Sequence, residues 1–105
     1  MSVKIIRLMS GEEIICNFTD NLNGTYTVKD PSVLIPSPEG KLLLAKWLPY
    51  ADIENGVTIP SSYAPMVVDP QKELANHFTT VVVNNLVVPG KKLIDPSASG
   101  LKLTV

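Results

Sequence analysis

The chain has one cysteine, one histidine and one tryptophan, and aromatic side chains make up only 6% of its 105 residues. Cys16 has no second thiol to meet, so an internal disulfide is excluded. His77 supplies one ligand where a zinc site needs three or four, so no metal is expected. Basic charge is not in excess either: nine Lys and Arg stand against ten Asp and Glu, a formal net charge of -1. No basic stripe is visible, which counts against tight non-specific DNA binding, because affinity for the phosphate backbone comes from lysine and arginine; a few phosphate contacts repeated around an oligomer stay open. No apolar run approaches the roughly 20 residues that span a bilayer. The opening Met1-Ser2-Val3-Lys4 lacks the apolar stretch and cleavage site of a secretory signal, so a cytoplasmic location away from membranes is expected. Also missing are a phosphate-cradling glycine loop, a paired-cysteine motif and a nucleophile elbow. No enzyme, cofactor or small-molecule substrate is therefore expected.

What is present is 45% apolar and 18% charged residues, the balance of one globular domain. Nine prolines and six glycines favour many turns. Recurrent valine, isoleucine and threonine favour strands, because branched side chains suit a pleated surface. Residues 3–9 alternate, with Val3, Ile5 and Arg7 on one side and Lys4, Ile6 and Leu8 on the other. The turn Ser10-Gly11-Glu12-Glu13 joins this strand to Ile14-Ile15-Cys16-Asn17-Phe18, which makes a hairpin. The strongest turn signal is Asp20-Asn21-Leu22-Asn23-Gly24, since Asn and Gly tolerate positive φ. Strand residues follow at 25–29 and 32–35. Pro31 between them donates no ladder hydrogen bond and marks a bulge or an edge. After Pro36-Ser37-Pro38-Glu39-Gly40 comes a strand over 41–48, then a loop over 49–56 and a short strand at 57–59.

Asp69-Pro70 predicts a helix start, with Asp69 as cap and Pro70 at the first helical position. Leu74, Phe78 and Val81 or Val82 then share one face, and Asn84-Asn85 ends a helix over 70–83. Leu86-Val87-Val88 reads as extended. The domain is therefore expected over 1–88, with a C-terminal tail over 89–105. The closing Leu101-Lys102-Leu103-Thr104-Val105 alternates, as a strand added to another subunit would, or as a mobile end.

Residues able to do chemistry are scattered. Cys16 lies in an apolar strand, where a thiol is inert. Glu12 and Glu13 are strand neighbours that face opposite sides and cannot share a substrate. Five aspartates adjoin turns or prolines, where Asp bonds its own backbone. Trp47, Tyr50 and Tyr63 are the side chains that could stack on bases, and equally the natural packing anchors of a core or subunit interface.

Residues 3–34, about a third of the chain, resemble the first Sm motif of Sm-like proteins, with small Sm-like proteins of tailed phages the most similar. The matching positions are Ile6, Leu8, Gly11, Glu13, Ile14, Phe18, Asp20, Asn23 and Asp30. The resemblance implies a small, strongly bent Sm-like or SH3-like barrel of about five strands. It implies subunits joined by strand pairing into a closed homo-oligomeric ring. It also implies that Asp20 and Asn23 line a pore and hold a base of single-stranded RNA, with Asn21 a competing match for Asn23 because the spacing differs by one residue. The loop near Ser61 and Tyr63 would complete the RNA site. Two features depart from the family. Val57-Thr58-Ile59-Pro60-Ser61 stands where the second motif has Arg and Gly after its apolar residues. The family's N-terminal helix is missing, and a helix follows the barrel instead. The expected function is a non-catalytic, oligomeric RNA-binding scaffold. The alternative is a structural or adaptor ring protein, viral in setting, that binds protein partners and no RNA.

Overall fold

The computed structural model describes residues 2–84 and the backbone of Leu103 and Thr104. The strands are β1 (Ser2–Arg7), β2 (Glu13–Asp20), β3 (Thr25–Pro36), β4 (Lys41–Lys46), β5 (Val57–Pro60), β6 (Met66–Val68) and β7 (Leu103–Thr104). A 3-10 turn, Ser61–Tyr63, separates β5 from β6, and the helix α1 spans Lys72–Phe78. The expected extended stretch at 86–88 and the start of the tail at 89 lie outside the described residues.

All strand pairs are antiparallel, in the order β6-β1-β2-β3-β4-β7, and β5 also pairs with β3. The fold is thus mainly β with a C-terminal helix. β3 organises it. Its first half, from Thr25 to Val28, pairs with β5, and its second half, from Ser32 to Pro36, pairs with β4. The exchange of partner happens at Asp30 and Pro31. There the β2–β3 register slips, from Ile15↔Ser32 to Asn17↔Lys29. Two β3 residues therefore oppose Cys16, which is a bulge and bends the strand. Asp30 takes a φ of 53° and is held by a hydrogen bond from Asn17 Nδ2 at 3.4 Å. Pro31 lacks a donor, but its carbonyl accepts from the Trp47 amide at 3.3 Å.

Both faces of the bent sheet are apolar. Ile6, Leu8, Ile14, Cys16, Phe18, Val28, Ile59 and Ala64 form one buried cluster, inside the curve of β6-β1-β2-β3-β5. Ile15, Leu44, Leu74 and Phe78 form the other, with Val3, Ile5, Leu34 and Leu42 packed against it. The alternation of β1 and β2 feeds both: odd and even positions go to opposite clusters.

The expected closed barrel is not formed. β1 and β3 both run antiparallel to β2, so they run parallel to each other; β5 and β6, antiparallel to β3 and β1, also share one direction. Consecutive strands in one direction cannot make a hairpin, and a parallel ladder needs a crossover of a dozen or more residues. Only the 3-10 turn and two flanking residues are available. The sheet therefore bends around its first cluster without closing.

The helix also begins later than its sequence signals indicate. Gln71, in extended conformation, precedes the first helical residue, and the first helical bond runs from the Ala75 amide to the Gln71 carbonyl at 2.9 Å. The β1–β6 register, Ile5↔Val68, brings Asp69 opposite Lys4, and the two form an ion pair. That pairing takes the carboxylate expected to cap the helix. Beyond Phe78 the chain continues as a π-helical segment, Thr79–Val83, with Asn84 still in helical conformation, and the expected break at Asn84-Asn85 runs into residues outside those described. Among the described residues no helix is long and apolar enough to cross a membrane.

Candidate nucleic-acid interface

The residues expected to touch RNA fall in the β2–β3 loop and the 3-10 turn after β5. In the loop each polar side chain first serves the turn. Asp20 Oδ1 accepts the Leu22 amide at 2.9 Å. Asn23 Oδ1 accepts from the Thr25 amide at 3.1 Å and from the Thr25 hydroxyl at 2.6 Å. Asn21 Nδ2 donates to Thr25 Oγ1 and Thr27 Oγ1, both at 3.0 Å, and its Oδ1 accepts from the Thr27 hydroxyl at 3.2 Å. These local bonds let Asn and Asp replace a strand ladder at a tight turn. Gly24 completes the reversal with a φ of 89°.

The arithmetic of donors and acceptors separates the two competing asparagines. Asn21 uses both ends of its amide inside the hairpin. Asn23 uses only its oxygen, so among the described residues its NH₂ group has no partner. Asp20 likewise commits one carboxylate oxygen and keeps the other. The loop thus offers one donor group and one acceptor, the pair needed to read the edge of a base.

The second segment reaches the loop through the backbone. The Ser61 amide donates to the Gly24 carbonyl at 2.8 Å, next to the Thr25↔Pro60 strand pair. Ser61 is therefore brought against the β3 end of the loop. Tyr63 is at the far end of the 3-10 turn, where its carbonyl accepts the Met9 amide at 2.8 Å. That anchors it to the β1–β2 turn, and no hydrogen bond among the described residues ties it to the β2–β3 loop. Leu22 escaped sequence reasoning. It is 87% exposed, with a φ of 62°, at the apex between the two asparagines. Its signal was an apolar residue at the centre of a turn motif where Asn or Gly is the easy choice.

Positive charge is scarce at this site. No Lys or Arg lies within residues 20–24 or 60–63, and elsewhere on the sheet Lys4 pairs with Asp69 and Arg7 with Glu13. The remaining reactive side chains stay apart. Cys16 is buried, which pushes its thiol up to about 12, and its thiol donates to the Lys4 carbonyl at 3.9 Å. Glu12 accepts from the Ser10 hydroxyl at 3.2 Å while Glu13 goes to Arg7. Trp47 packs on the first cluster, while Tyr50 is wholly exposed in the β4–β5 loop. His77 Nε2 is shielded on α1 without a hydrogen-bond partner among the described residues. No group of three metal-ligating side chains occurs among the described residues. No family model matches the chain, and no curated protein matches it.

Proposed function

We propose that this protein is a non-catalytic, Sm-like, oligomeric scaffold that holds single-stranded RNA at the β2–β3 loop. One observation carries the reading: the Ser61–Gly24 hydrogen bond brings the turn after β5 against a loop whose Asp20 carboxylate and Asn23 amide keep unused hydrogen-bonding groups. The bent path β6-β1-β2-β3-β5 supports it, because its two ends leave edges for neighbouring copies. β5 pairs on one side with β3 and β6 on one side with β1; their other sides carry no strand among the described residues. Met66 and Val68, on that outer strand, are about half exposed. Joining β5 of one copy to β6 of the next is a head-to-tail contact, and such contacts close into rings when the rotation permits. A ring repeats the weak loop site several times, so avidity replaces the missing basic stripe.

The scarcity of charge favours a second reading, in which the ring is an adaptor for protein partners. One experiment separates the two. Solution mass by light scattering, with and without a short uridine-rich RNA, is expected to show a ring-sized particle that takes up RNA. Asn23→Asp, which keeps the Oδ1 acceptor of the turn and removes the free NH₂ donor, should weaken uptake by at least about five- to tenfold, the loss of one hydrogen bond at one site, whereas Asn21→Ala and Asn23→Ala also remove bonds that hold the hairpin. A ring that ignores RNA would favour the adaptor, and a monomer would remove both ring readings.

A further inference from the structure

We propose that Asn23 is a site of spontaneous deamidation, that the folded β2–β3 turn selects it over the other Asn-Gly pair, Asn55-Gly56, and that its conversion removes the free donor group of the loop. The modification stands apart from RNA binding; its consequence for uptake rests on the function proposed above.

The chemistry follows from the residue pair. Asparagine is among the chemically labile side chains. Glycine has no Cβ, so its backbone nitrogen approaches the preceding side chain with little hindrance. Once that nitrogen has given its proton to solvent base, it attacks Cγ of the asparagine. A new carbon–nitrogen bond forms, the bond from Cγ to the side-chain NH₂ breaks, and ammonia leaves after taking a proton from water. Water then opens the cyclic imide at either carbonyl, which gives aspartate or isoaspartate. In sum, an amide and water become an acid and ammonia, with no oxidant or reductant.

The sequence presents Asn23-Gly24 and Asn55-Gly56 on equal terms, and both asparagines are exposed. The fold separates them. Negative charge develops on Oδ1 during the attack. At Asn23 this oxygen already accepts from the Thr25 amide at 3.1 Å and the Thr25 hydroxyl at 2.6 Å, so two donors stand where the charge forms. The NH₂ that must leave has no partner among the described residues, so its departure breaks no bond there. The two nucleophiles differ as well. The Gly56 amide donates to the Ile53 carbonyl at 2.9 Å, which holds its proton in place, while the Gly24 amide has no partner among the described residues. Space divides them again. A Cβ built on Gly24 meets nothing within 4 Å, whereas one on Gly56 meets the Val28 carbonyl at 3.2 Å. The backbone thus has room to turn at Gly24 and is packed against β3 at Gly56. Asn21 is no competitor, because both ends of its amide are bonded and Leu22 follows it.

Conversion to aspartate replaces the NH₂ donor with a second carboxylate in the loop that carries Asp20. Isoaspartate also routes the main chain through the former side chain, which dismantles the turn onto Thr25.

The test incubates the full chain, free of RNA, at mildly alkaline pH and follows residues 23 and 55 by peptide mass mapping, in native buffer and in urea. In urea the two pairs should convert at similar rates. In native buffer residue 23 should convert at least about tenfold faster than residue 55, the effect of one or two hydrogen bonds on a barrier. Thr25→Val, which removes the hydroxyl donor and keeps the amide, should slow residue 23 about three- to tenfold and leave residue 55 unchanged. Thr25→Ser should restore the rate. A native rate at residue 23 no higher than at residue 55 would overturn the proposal, and so would an unchanged or raised rate in Thr25→Val. Should Thr25→Val unfold by circular dichroism, the comparison of the two sites in the parent chain decides alone. RNA uptake is then measured on the converted protein. Loss of uptake in step with conversion supports the stated consequence, and full uptake overturns it. The mass mapping judges the modification whether or not the fresh chain takes up RNA, so the two failures are told apart.

Discussion

The two apolar clusters draw on the same strands yet are closed by different means. The first is wrapped by strands: Ile6, Ile14, Phe18 and Val28 meet Ile59 from β5 and Ala64 from the turn that follows. The second is covered by a helix: Ile15 and Leu44 meet Leu74 and Phe78 of α1. A strand-wrapped cluster relies on long-range ladders on every side, whereas a helix-covered one rests on few large side chains. The difference teaches where each core is vulnerable.

The largest expected effect is at Phe78, which is fully buried and anchors the helix. Phe78→Ala should cost about 3–5 kcal/mol in urea unfolding. If the two clusters form one cooperative unit, helical and near-ultraviolet signals will fall together. A separate, earlier loss of the helical signal would split them. A smaller effect probes the strand-wrapped side. Gly56, at a φ of 93°, directs its missing Cβ to within 3.2 Å of the Val28 carbonyl. Gly56→Ala should therefore destabilise by about 1–3 kcal/mol, measured in the same way, and should loosen the first cluster before the second.

The smallest effect sharpens the comparison through pH. Cys16 belongs to the first cluster, and burial raises its thiol from 9.0 to about 12. The folded state thus holds this proton more tightly than the unfolded state. Its contribution is complete below pH 9 and is lost as pH rises through the interval toward 12. Stability measured from pH 8 to 11 should fall less in Cys16→Ala than in the parent. The native thiol should also resist alkylation at pH 8, where a reactive, low-pKa cysteine would be modified at once.

Several features were legible because they are local. The alternation of β1 and β2, the Asn23-Gly24 turn and the interruption at Pro31 follow from side-chain period and backbone restriction. These act over a few residues and are independent of partners. The inert setting of Cys16 was readable for the same reason. The candidate site was readable in part. Asp20, Asn21 and Asn23 were named through the resemblance to the first Sm motif, but their division of labour inside the turn could not be. Asn21 spends its amide on Thr25 and Thr27 only because β2 and β3 pair as they do. Asp69 shows the reverse case. By local rules it is a helix cap, but the β1–β6 ladder delivers it to Lys4, and an ion pair between distant segments displaces the local role.

By itself, then, the sequence determined a mainly β chain, its turns, the interruption at Pro31 and the dispersal of its reactive side chains, since each of these is decided by bonding and sterics between near neighbours. Only the tertiary structure decided that β3 trades β5 for β4 at the bulge, that β5 and β6 run in one direction and leave the sheet open, and that Ser61 meets Gly24. Those are choices among long-range pairings of similar local quality. Burying two faces of one bent sheet at the same time selects among them, and no short window of residues contains that condition.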